Sequence, residues 1–107
     1  MITCNKNLPI IDFLNMHYPQ KDIYVHVCEG YDSIETPDGT IAFGVYDSAN
    51  YRIYVAEDMP QKEYTLPHTI AHEYRHHIQH MNRKPFDEKD ANCFADEVLI
   101  RLQEGRK

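Results

Sequence analysis

The sequence has no long apolar run, no surplus of basic charge, no closely spaced cysteines and no internal repeat, and each absence closes off a class of function. Nothing approaches the roughly 18 apolar residues of a membrane span. The stretch MITCNKNLPIIDFLNMHYP has no basic region leading into an apolar segment, so no secretory signal is expected. Lys and Arg number 11 against 17 Asp and Glu, a formal charge of −6. That is the wrong balance for a nucleic-acid backbone as partner. Cys4, Cys28 and Cys93 are odd in number and far apart, and no C-x-x-C occurs. Zinc ribbons and thioredoxin-type motifs are thereby excluded, and reduced thiols in a cytoplasmic protein are the expectation. What is present suits one globular domain: 107 residues, 42% hydrophobic and 26% charged.

Periodicity gives the order of elements. NLPIIDFLNMHYP carries a proline in its first turn and stops before Pro19, the signature of a short helix. Asp22–Cys28 alternates Ile23, Val25 and Val27 with Tyr24, His26 and Cys28, a strand with two unlike faces. TPDGT reads as a turn. TIAFGVY and YRIYVAE alternate on either side of DSAN, which predicts a β-hairpin. After the connector DMPQKE, a helix is predicted from about Thr65 to Met81, a break at NRKP, and a last helix from about Asp87 to Gln103. The expected fold is α+β: an N-terminal helix, a small three-stranded and mostly antiparallel sheet, and two C-terminal helices. His26 is expected to be a partly buried strand residue, and His17 to meet helix-end carbonyls or water.

The stretch HTIAHEYRHHIQHM concentrates the chemistry. His68, His72, His76 and His80 recur every fourth residue. At about 100° per residue, Leu66, Ile70, Tyr74, Ile78 and Met81 form an apolar stripe and His72 and His76 lie opposite. A solvated polar stripe explains that spacing too, but such a stripe usually carries Lys and Glu rather than His and Glu. Two imidazoles one turn apart, roughly 6 Å, can tilt onto a single divalent cation. Glu73 lies about 60° round from His76, near enough to handle a water on that cation without displacing it. His72-Glu73-Tyr74-Arg75-His76 is therefore H-E-x-x-H, two ligands and a general base.

A catalytic zinc site takes three protein ligands and leaves a position open. His80 is about 12 Å along the axis from His72 and cannot join without breaking the helix. His68 would pair with His72 but is followed by Thr69 rather than a glutamate, and His77 points about 100° away from His76, toward solvent. Gln79 and Asn82 stand where a metzincin would have glycine and histidine. The last helix remains. RKPF can reach roughly 13 Å, enough to bring the first turn of that helix level with His76. Asp87 is the expected cap. Geometry leaves both Glu88 and Asp90 open as the third ligand.

HTIAHEYRHHIQH followed by EKDANCFADEVL resembles the small gluzincin zinc metallopeptidases, the minigluzincin and ImmA/IrrE-type group. The resemblance covers Leu66 to Leu99, with Asp90-Ala91-Asn92-Cys93-Phe94-Ala95 matching the family's second motif. It implies a single zincin-like domain over residues 1–107, one Zn²⁺ held by His72, His76 and Asp90, and Glu73 as catalytic base. The family position is commonly glutamate, so aspartate, one methylene shorter, calls for a closer approach of the helix or for Glu88 in its place. The implied reaction is hydrolysis of a peptide bond in a protein or peptide substrate lying along an edge strand, with regulator proteins as the family's associated targets. The implied alternative is a latent zinc-binding regulatory module, its cleft covered by the terminal IRLQEGRK. None of the eight tyrosines is singled out as an oxyanion donor.

Overall fold

The computed structural model describes residues 1–20, 22–58 and 65–104. The chain is α+β. Strand β1 (Ile2–Cys4) leads into helix α1 (Pro9–His17), then β2 (Ile23–Cys28), a small hairpin β3 (Ile34–Glu35) and β4 (Ile41–Ala42), β5 (Gly44–Asp47), β6 (Arg52–Ala56), and helices α2 (Leu66–Met81) and α3 (Glu88–Glu104). The main sheet has four strands in the order β1-β2-β6-β5, and β3 and β4 pair separately.

The sheet corrects the expectation of three mostly antiparallel strands. β1 and β2 are parallel, as are β2 and β6, and only β5 and β6 run antiparallel. Ile2–Cys4 is too short to show an alternation of its own. The helix between β1 and β2 returns the chain to its starting end, which makes their pairing parallel. The predicted hairpin is real but shorter: TIAFGVY divides at Phe43, so Ile41 and Ala42 turn away to pair with β3.

Alternation predicted the buried face correctly. Ile23, Val25 and Val27 of β2 and Ile53 and Val55 of β6 join the core, while Tyr24, His26 and Cys28 are half-buried on the other face. His26 sits between the rings of Tyr24 and Tyr54, with centroids 6.0 and 6.1 Å away. His17 packs on Phe13 at 4.5 Å between ring centroids. Ile10, Ile11 and Leu14 of α1, Ile70, Tyr74 and Ile78 of α2, and Phe94, Ala95 and Val98 of α3 complete the core.

Capping fixes where the two long helices begin and end. Thr65 caps α2, its hydroxyl accepting from His68 N at 3.3 Å. At the other end Arg83 adopts a left-handed φ of 58°. Arg83 N donates to His80 O at 3.0 Å and Lys84 N to Gln79 O at 2.9 Å, the double closure of a Schellman motif. The chain then doubles back, and Asp87 caps α3 as expected, its Oδ1 accepting from Asp90 N at 3.0 Å. This short return lays the first turn of α3 against the middle of α2.

His77 departs from its predicted solvation. It is fully buried, with Nδ1 2.6 Å from the Tyr46 hydroxyl and its ring among Tyr46, Tyr51 and Tyr74. Seven residues after Ile70 is almost two whole helical turns, which places His77 on the apolar stripe. The connector predicted at DMPQKE falls largely outside the described residues.

Candidate metal centre

Three donors converge where α2 meets α3. Glu88 lays its carboxylate across both imidazoles, with Oε2 2.9 Å from His72 Nε2 and Oε1 3.0 Å from His76 Nε2. The rings themselves are 4.9 Å apart between centroids. Glu73 stands slightly further back, Oε2 3.9 Å from His72 Nε2. Donor atoms of His72, Glu73 and His76 all lie within 4.8 Å of one another. The nearer carboxylate, Glu88, therefore suits a ligand and the recessed Glu73 suits a base.

The far side of each ring is also held, which leaves Nε2 toward this cluster. His72 Nδ1 is 2.8 Å from Asn92 Oδ1, and His76 Nδ1 is 2.9 Å from Gln79 Oε1, whose amide is fixed by the Asp87 and Asp90 acceptors facing its Nε2. In the neutral form that a metal requires, a ring with its one N–H on Nδ1 turns the Nε2 lone pair toward the Glu88 oxygens. Burial, and then the neighbouring His76, hold the His72 pKa below its usual value, which disfavours the cationic ring. At 2.9 and 3.0 Å these contacts are bridged by a proton or, with both rings neutral, accommodate a cation between them. This donor set of two imidazole nitrogens and one carboxylate fits a divalent cation, with the hydrogen-bonded outer partners that metal-binding histidines ordinarily have.

Burial raises the Glu73 pKa to about 7; His76 pulls it down and Glu88 pushes it up. A carboxylate tuned to that value can both take and give a proton near neutrality.

Asp90, expected as third ligand, is elsewhere. It accepts from Arg75 Nε at 2.7 Å, Arg75 Nη2 at 3.3 Å and Gln79 Nε2 at 2.8 Å. Arg75, and then Gln79, hold its carboxyl below the usual range. The physical reason is rotation: Glu88 and Asp90 are about 200° apart on α3 and flank its buried stripe on opposite sides. Glu88 and Asn92, four residues apart, share the side that faces His72. His68, aligned with the motif, instead has Nε2 2.9 Å from Asp96 Oδ1.

The edge strand β5 passes directly over Glu73. A Cβ on Gly44 would come within 2.6 Å of Thr69 Cγ2 and 3.1 Å of Glu73 Cγ, so only glycine permits this approach. Phe43 O accepts from Ala56 N at 2.9 Å, and pairing alternates along the strand. Backbone groups of Gly44 and Tyr46 therefore point to the outer edge, where no strand pairs with β5 among the described residues. A cleft of about 250 Å³ runs from His68 and Asn92 past His72 and Glu73. On the other side of Glu88 a second depression is walled by Tyr46, His76 and Phe86. The Tyr46 hydroxyl is committed to His77.

The described part of the terminal segment expected over the cleft is otherwise engaged. Residues 100–104 continue α3, with Leu102 on the core and Arg101 bonded to the Tyr18 hydroxyl. They lie roughly 20 Å along α3 from Glu88. Residues 105–107 lie outside the described residues. No helix among the described residues is long and apolar enough to cross a membrane. No protein-family model, curated protein or solved structure matches this chain.

Proposed function

We propose that this chain is a zinc-dependent metallopeptidase with a minimal zincin-like fold, of the small gluzincin kind that its two motifs resemble. The observation that carries the reading is the convergence of His72 Nε2, His76 Nε2 and the Glu88 carboxylate, with Glu73 recessed beside them. Glu88 takes the ligand role that the resemblance gave to Asp90. A bound zinc ion supplies Lewis acidity, which makes water a nucleophile near neutral pH and polarises a carbonyl.

The chain's own residues supply the rest. The outward backbone groups of Gly44 and Tyr46 pair with an extended peptide, adding it as a strand to the sheet edge. That register carries the peptide past Glu73, which accepts the proton of the attacking water and returns it to the departing amine. Asn92 and Gln79 hold both imidazoles with Nε2 inward throughout.

The test is Glu73→Ala. Zinc should remain stoichiometric by mass spectrometry while cleavage of a peptide library falls roughly 10²–10⁴-fold, the usual share of a general base. Undiminished turnover would remove Glu73 from the reaction, and a purified wild-type chain that takes up no zinc would remove the reading altogether.

A further inference from the structure

We infer that Gln79 is a positioning residue for this centre: its buried side-chain amide sets the tautomer of His76 and pins the first turn of α3, so that Glu88 falls across both imidazoles. Its consequence for zinc rests on the reading above, but its geometry does not.

Gln79 is 5% exposed, and all its hydrogen-bonding groups are used. Oε1 accepts from His76 Nδ1 at 2.9 Å and from Asp87 N at 3.1 Å. Nε2 donates to Asp87 O at 3.2 Å and to Asp90 Oδ2 at 2.8 Å. With two acceptors facing Nε2, the amide cannot turn over, so the atom toward His76 is an acceptor. That places an imidazole hydrogen on Nδ1 and, in the neutral ring, the lone pair on Nε2, 3.0 Å from Glu88 Oε1.

The same amide grips the backbone of Asp87 from both sides, as a neighbouring strand would. Asp87 is the cap of α3 and the residue before Glu88. One side chain thereby ties the orientation of a ring on α2 to the placement of a carboxylate on α3. A residue that merely joined the two helices would need its bonds to Asp87 and Asp90 only. The bond to His76 is additional, and it is what a ligand position requires.

Two variants separate the roles. Gln79→Met keeps the length of the side chain and removes all four bonds. Gln79→Glu keeps the acceptor toward His76 and Asp87 N but sets its second oxygen against Asp87 O and the Asp90 carboxylate. Side-chain ¹H–¹⁵N correlation in the metal-free protein at about pH 8, where an ordinary histidine is neutral, reads the tautomer. Zinc affinity is measured by competition with a chromophoric chelator.

In Gln79→Met, His76 should lose its uniform Nδ1–H form and zinc affinity should fall roughly 10–100-fold. In Gln79→Glu the Nδ1–H form should persist while amide exchange at Asp90 and Ala91 quickens. A folded Gln79→Met protein with His76 still wholly Nδ1–H and zinc affinity unchanged overturns the inference. If Gln79→Met does not fold, Gln79→Glu decides: a lost tautomer, or unaltered exchange at the start of α3, overturns it. Should the wild-type chain take up no zinc, the peptidase reading fails, yet tautomer and exchange still judge Gln79.

Discussion

On α2, two pairs of residues one turn apart each grip a carboxylate from the first turn of α3. His72 and His76 meet Glu88; Arg75 and Gln79 meet Asp90. The two grips have similar distances and are built from the same two helices, but their charge balance is opposite. Arg75 brings a permanent cation, so the Asp90 side is complete and closed. His72 and His76, when neutral, bring lone pairs, so the Glu88 side then faces itself with like polarity and suits an added cation. A carboxylate beside a helix thus acquires a structural or a chemical role from what its partners lack, not from its own position in a motif.

The sharpest way to break this comparison is to exchange the fates of the two acids. Glu88→Ala should lower zinc affinity by more than about 100-fold, beyond the usual effect of an outer partner. Asp90→Ala should keep zinc stoichiometric and reduce stability by no more than about 1 kcal/mol, because the Arg75 pair is partly exposed. Mass spectrometry of metal content and chemical denaturation read the two effects separately. Zinc retained in Glu88→Ala and lost in Asp90→Ala would restore the assignment that the resemblance implied.

The pattern of the chain foretold the histidine half of one grip and nothing of the Arg75–Gln79 grip, whose acid the resemblance assigned to the histidines. H-E-x-x-H, the cap at Asp87 and the apolar stripe of α3 follow from helical spacing and turn chemistry, and the structure has them where spacing puts them. The choice between Glu88 and Asp90 was not open to spacing alone. Spacing puts Asn92 on the face of Glu88, four residues before it, and not of Asp90, but only the Asn92–His72 contact in the structure shows that this face meets His72. Gln79 could not be read from spacing either, because its partners His76, Asp87 and Asp90 come together only once the Schellman turn closes. The sheet failed for a related reason. Alternation marks which side chains are buried but says nothing of strand direction, and three residues at β1 are too few to alternate.

A second difference between the grips is what lies over them. β5 presses on Glu73 through Gly44, whereas the Arg75–Asp90 side borders an open depression. Gly44→Ala should therefore damage the histidine side selectively. The added methyl must displace Thr69 or Glu73, at a cost of about 1–3 kcal/mol for overpacking. Denaturant unfolding checks that figure. A peptidase activity falling further than metal content would show that Glu73 moved while the ligands held. An unchanged midpoint would mean that Thr69 and Glu73 yield to the methyl without cost and that Gly44 does not set the approach of β5.

The smallest effect distinguishes the grips by pH. Arg75, and then Gln79, hold the Asp90 carboxyl below the ordinary aspartate value. A folded-state pKa lower than the unfolded one means that the unfolded chain binds the proton more readily. The contribution of Asp90 is thus fully present above about pH 4, the unfolded value, and fades as pH falls through the depressed folded value. Asp90→Asn removes this linkage while leaving an acceptor for Gln79. The difference in midpoint between wild type and Asp90→Asn in metal-free protein should be constant from about pH 7 to pH 5 and shrink below about pH 4. A difference that grows on acidification would mean that the charge on Asp90 is repelled rather than held. The Arg75 grip would then not be the closed, balanced counterpart of the histidine site.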